Sequence, residues 1–197
     1  REVLETAESP EEKHQALLEL ARTRLQLEDP AGAEELLNRL PRRISDQLRA
    51  KADLLLADLL QAGGDVEGAR KHLPKPELLP DDWKDLHRAV EARCLFMEEG
   101  VDAAVALLQA SLAERESVFL QKEKLNFLIR AGQLKEAEQG LKQLAGEPPL
   151  TEGGTRARIT LAGILLEQNR SAEALVWLVP VLGEGTGSTR LEMQLYP

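Results

Sequence analysis

The chain has 197 residues, 43% of them hydrophobic and 30% charged, so it is neither a disordered polymer nor a membrane-embedded protein. Its formal charge of −9 argues against a general nucleic-acid binder, which needs clustered Lys and Arg free of nearby carboxylates. Aromatics at 3% exclude an aromatic-rich β-sandwich, and the single cysteine, Cys94, excludes an internal disulfide or a cysteine zinc cluster.

The first eight residues are acidic and lack the basic start and apolar centre of a secretory signal. The chain opens on Arg1 rather than Met, so it reads as a piece or processed form of a longer protein. No apolar run approaches the roughly 18 residues that span a bilayer, and the expected compartment is the cytoplasm.

Ser9-Pro10-Glu11-Glu12 then supplies an N-cap, a proline for the first turn and acids at the positive end of a helix dipole. Leu17, Leu20, Ala21 and Leu25 form one helical stripe, and Leu36, Leu37 and Leu40 a second after a turn at Asp29-Pro30. Ser45-Asp46 and Pro80-Asp81-Asp82 open further helices in the same style. Leu73-Pro74-Lys75-Pro76, Gly146-Glu147-Pro148-Pro149 and Gly183 to Gly187 stop helices without forming long linkers. Cys94 lies in an apolar helical stretch and reads as core, and no strand alternation persists anywhere.

A period of about 35 residues runs through this pattern, marked by Ala33, Ala69, Ala104, Ala137 and Ala174. Each marker follows a polar turn and precedes Leu or Val. Twelve residues before them stand Ala21, Ala57, Ala92 and Ala162, with Leu125 as the departure in the fourth repeat. The third turn, Gly100 to Ala104, is one residue short. The expectation is all-α: about five helical hairpins over residues 14–47, 50–83, 85–117, 118–151 and 155–188, with a truncated helix starting at 189–197 and the last hairpin exposing Leu175 and Trp177.

The turn Ala131-Gly132-Gln133-Leu134-Lys135-Glu136-Ala137-Glu138 resembles the middle of a tetratricopeptide repeat, and the resemblance covers residues 14–188. The large aromatics usual in the first helix of such repeats are mostly absent. The family implies a right-handed superhelix whose first helices line a concave, peptide-binding groove. Counted from the markers, the groove would carry Arg22, Lys51, Phe119, Lys122, Asn126, Arg130 and Arg156, with Arg93 from the third repeat. Its charged members are mostly basic, with Asp58 and Glu167 opposing them. That balance, opposite in sign to the whole chain, points to an extended acidic protein or peptide partner. Some tetratricopeptide domains clamp a carboxylate with Lys and Asn. Lys122 and Asn126 match that clamp and Thr160 departs from it.

Asp82-Trp83 and Leu161 to Leu182 are also similar to the helical sensor region of ATP-dependent bacterial activators of the maltose-regulator type, which would imply an effector-sensing module. No phosphate loop, nucleophile elbow or dinucleotide fingerprint occurs, and His14, His72 and His87 are too scattered to hold a metal. The expectation is a scaffold with no catalytic residues and no cofactor. His14 and His87 read as solvated, Trp83 as a staple contact or surface anchor, and Trp177 as packing against a neighbouring hairpin.

Overall fold

A computed structural model describes residues 9–146 and 151–184. Helix α1 (Pro10–Gln26) starts as the sequence dictates: Ser9 Oγ accepts from the Glu12 N–H, and the Glu12 carboxylate accepts from the Ser9 N–H. There follow α2 (Pro30–Asn38), α3 (Asp46–Ala62), α4 (Val66–His72), a 3-10 turn (Pro76–Leu78), α5 (Asp81–Glu98), α6 (Val101–Glu114), α7 (Val118–Arg130), α8 (Leu134–Ala145), α9 (Glu152–Glu167) and α10 (Ser171–Glu184). No strand occurs among the described residues. The expected truncated helix at 189–197 lies outside them.

The turn inside each pair repeats. Glu28, Gly64, Gly132 and Asn169 each adopt positive φ. In each case the next N–H donates to a carbonyl five residues back: Asp29 to Arg24, Asp65 to Leu60, Gln133 to Leu128 and Arg170 to Leu165, at 2.8 to 2.9 Å. These are Schellman closures, which satisfy carbonyls left over at a helix end. The short third turn closes differently: Gly100 itself donates to Leu95 at 3.2 Å and caps the next helix with φ 94°. One missing residue is thus absorbed in the turn, and Ala104 keeps its place.

All five marker alanines are essentially buried, with Ala33, Ala69, Ala104 and Ala137 at 0% and Ala174 at 1% exposure. A larger side chain at so enclosed a position would have to displace its neighbours.

The chain forms two compact units, residues 1–120 and 121–197, and the division falls within α7. In the first, α1 packs on α2 and α3, α3 on α4 and α5, and α5 on α6. Its core joins Leu18, Leu54, Leu55, Val90 and Cys94 around Trp83, all at 0% exposure. The second unit packs α8 and α10 against α9 around Leu141, Leu161, Ile164 and Leu165. There, Leu125 of α7 lies over Gly140 of α8.

Candidate functional site: two lined concavities

In the first unit, Arg22, Lys51 and Arg93 are all held by other residues. The Arg22 guanidinium lies over the Trp83 ring, 4.9 Å from its centroid, and donates to the Asp82 carbonyl at 3.2 Å. Lys51 approaches the same ring at 5.2 Å, donates to Gln15 Oε1 at 2.9 Å and is buried. Its position in helix α3 is as counted, but its stem and head pack into the hairpin interface instead of facing an open groove. Arg93 of α5 pairs with Asp58 of α3 at 2.7 Å. These contacts join residues from separate helices into a polar seam beside the core.

Trp83 is therefore not a surface anchor. It is the largest fully buried side chain of its unit, capped by two cations. His87, expected in solvent, is buried too. Its Nε2 donates to the Pro74 carbonyl at 2.8 Å and ties α5 to the loop before it. Burial holds its pKa below the ordinary imidazole value.

A cavity of about 500 Å³ opens beside this seam. Leu25, Leu55, Leu86 and Phe119 form its apolar wall, and Arg22, Asp58, Asp82, Asp85 and Arg93 supply charge. Phe119 is 39% exposed. Asp85 is engaged by Arg115 and by the Ser117 hydroxyl, whose oxygen also accepts from the Leu120 N–H at the start of α7.

In the second unit a concavity of about 200 Å³ is lined by Lys122, Asn126, Ile129, Arg156 and Thr160 over Leu125 and Leu141. No carboxylate is among its lining residues. Lys122 and Asn126 lie one helical turn apart on α7, and Arg156 and Thr160 likewise on α9, which is why the two pairs share a face each. Arg156 is largely exposed and makes an i,i+4 pair with Glu152 at 2.7 Å. Arg130 is exposed at the end of α7 and does not line this concavity.

Two groups of consequence escaped sequence reasoning. Arg158, two residues from Arg156, is buried, donates to the Ala145 and Gly146 carbonyls at the end of α8, and stacks over Trp177 at 5.3 Å. A cation at a helix C-terminus was recognisable chemistry, but its partner twelve residues away was not. The second group is Arg170, Glu138, Lys142 and Glu173. Arg170 binds Glu138 at 2.7 Å and Glu173 at 2.6 Å, and Lys142 binds Glu138 at 2.6 Å. Hydrogen bonds from Arg170 and then Lys142 hold the Glu138 carboxyl down at about 2.

Leu175, Val176, Val179 and Leu182 leave an apolar face of α10 exposed at 56 to 67%. Among the described residues no group of three or more His, Cys, Asp or Glu could hold a metal ion, and no helix is long and apolar enough to cross a membrane.

No family model matches the chain, and no solved structure matches it. It is similar to the phenylalanine–tRNA ligase alpha subunit of Paraburkholderia phytofirmans, being 34% identical over 110 residues. That stretch covers 49% of this chain and 33% of the subunit, so the chain spans about a third of its relative's length.

Proposed function

We propose that the chain is a tetratricopeptide-like array, of the hairpin type that winds into a right-handed superhelix, and that it serves as a cytoplasmic interaction scaffold for an extended acidic segment of another protein. The buried marker alanines and the repeated turn closures support the hairpin type. The observation that carries the partner's chemistry is the second unit's concavity, lined by Lys122 and Arg156 with no carboxylate among its lining residues, although Arg156 also holds an exposed pair with Glu152. Lys122 and Asn126 supply donors for a carboxylate, and Leu125 and Leu141 form an apolar floor that strengthens such bonds. No reacting group is needed for this work, and we assign the protein no enzymatic activity and no cofactor.

Binding of fluorescent acidic peptides to the full chain tests the reading. Lys122→Glu with Arg156→Glu weakens binding at least about tenfold, or about 1.4 kcal/mol, at low salt. The loss shrinks as added salt screens the exposed pair. Lys135→Glu, on an exposed α8 position outside the concavity, is the control. Equal weakening by Lys135→Glu would show that bulk charge alone is at work and would remove the site.

A further inference from the structure

We infer that the first unit's cavity is an anchor pocket for one large apolar side chain of a partner segment, a requirement set by this unit alone. This rests on the scaffold reading and adds a requirement to it.

The cavity's charges do not present a net field to an ion. Asp58 is paired with Arg93 at 2.7 Å, Asp85 is engaged by Arg115 and Ser117, and Arg22 is stacked on Trp83 with Asp82 at its edge. An incoming carboxylate meets Asp82 beside Arg22, and an incoming ammonium meets Arg22 beside Asp82. Neither sign is favoured, in contrast to the second unit's concavity. What remains to gain from an occupant is the apolar wall of Leu25, Leu86 and the exposed Phe119 ring. Such a wall, ringed by polar groups that exclude water once covered, is the arrangement of an interface anchor site. At about 500 Å³ the cavity lies within the roughly 300–1,000 Å³ range of ligand pockets. It therefore has room for a large side chain with the backbone on either side. The Gln26 amide and the Arg22 guanidinium, both lining it, supply donors for that backbone's carbonyls.

The test is selection of peptides about a dozen residues long, from a random displayed library, on the full chain. The expected winners for this cavity carry a Phe, Leu, Met or Trp. Replacing that apolar residue by Ala weakens binding at least tenfold at both low and high salt. In Phe119→Ala, an exposed position whose truncation spares the fold, the Phe-peptide and Ala-peptide differ less than threefold. Leu25→Asp gives the same collapse by placing a charge on the wall, and circular dichroism of both variants verifies the helices.

Acidic peptides that bind with no apolar preference, and lose binding in Lys122→Glu, would overturn the anchor while leaving the acidic reading intact. Apolar selection untouched by Lys122→Glu and lost in Phe119→Ala supports the anchor. Self-association of the chain abolished by Phe119→Ala, or competition by free phenylalanine as strong as by the peptide, would assign the cavity to a second copy or to a small effector and also overturn the anchor.

Discussion

Leu125 and Gly140 pair a large aliphatic side chain with no side chain at all where α7 meets α8. A Cβ placed on Gly140 would lie 2.4 Å from Leu125 Cδ2, so the leucine occupies the volume that a side chain at position 140 would need. At the two corresponding positions the first repeat has Ala21 and Leu36, the second Ala57 and His72, and the fifth Ala162 and Trp177. The fourth repeat puts its large residue at the first of these positions and its smallest at the second.

This pairing predicts strong coupling. Leu125→Ala alone empties a buried site and costs about 2–5 kcal/mol. Gly140→Leu alone forces Leu125 aside and costs about 1–3 kcal/mol even after its gain in helix propensity. The double variant, which restores the arrangement of Ala21 and Leu36, recovers at least about 1 kcal/mol of the summed loss. Urea titration of the four proteins measures it. Additive losses would show that the two side chains do not share the space.

The repeated turns give a second expectation. Glu28 holds φ 57° where Gly64 and Gly132 hold 86° and 74° in the corresponding turns. A side chain in the left-handed region costs about 1–2 kcal/mol, so Glu28→Gly stabilises by about 0.5–1 kcal/mol despite glycine's greater chain entropy. Gly132→Ala destabilises by about 1 kcal/mol. Thermal melts of the two variants should move in opposite directions.

Arg156 and Arg158 should separate function from stability. Arg158→Ala abandons two helix-end carbonyls and the Trp177 ring, and costs about 2–3 kcal/mol. Arg156→Ala changes an exposed i,i+4 pair and stays within about 0.5 kcal/mol. Binding of acidic peptide should respond in the opposite order, when measured below the melting range of both.

Two pH effects follow from buried or bonded groups, each with a definite sign. His87 is held below its ordinary value of 6.5 by burial, with Glu91 and Glu77 partly opposing and Arg88 reinforcing the shift. The unfolded chain therefore takes up a proton that the folded one refuses. Stability is full above pH 6.5 and falls as pH drops through that value towards the folded one. His87→Gln, which keeps a donor for Pro74, flattens this slope. Glu138 is held down at about 2, so its contribution is full above the ordinary 4.5 and is lost between there and about 2. Glu138→Gln lessens that second slope, to which Glu173 beside Arg170 and Asp81 beside Lys84 also contribute, and leaves the first. Melting curves between pH 3 and 8 resolve the two.

Helical periodicity, caps and the alanine markers were legible because each depends on residues close in sequence. Ser9 with Glu12 and Asp65 with Gly68 are contacts three residues apart, and spacing alone implies them. The placement of Lys51 could not be read this way. Its partners Gln15 and Trp83 lie 36 and 32 residues away, and whether a lysine on a first helix faces outward or lies along an indole depends on the rotation of the neighbouring hairpin. His87 misled for the same reason: a position near a helix start is solvated unless a loop folds over it, and here Pro74 does. Leu125 was visible as a departure, but Gly140 as its complement was recognisable only once the two helices faced each other.

The two tryptophans also fall one to each unit, Trp83 fully enclosed and Trp177 partly open beneath Arg158. The chain thus carries a private fluorophore for each half. In Trp177→Phe the emission should be blue-shifted and indifferent to iodide, reporting the first unit alone; in Trp83→Phe it should be redder and quenchable, reporting the second. Overlaying the two unfolding traces would tell whether the halves melt as one cooperative body or as two.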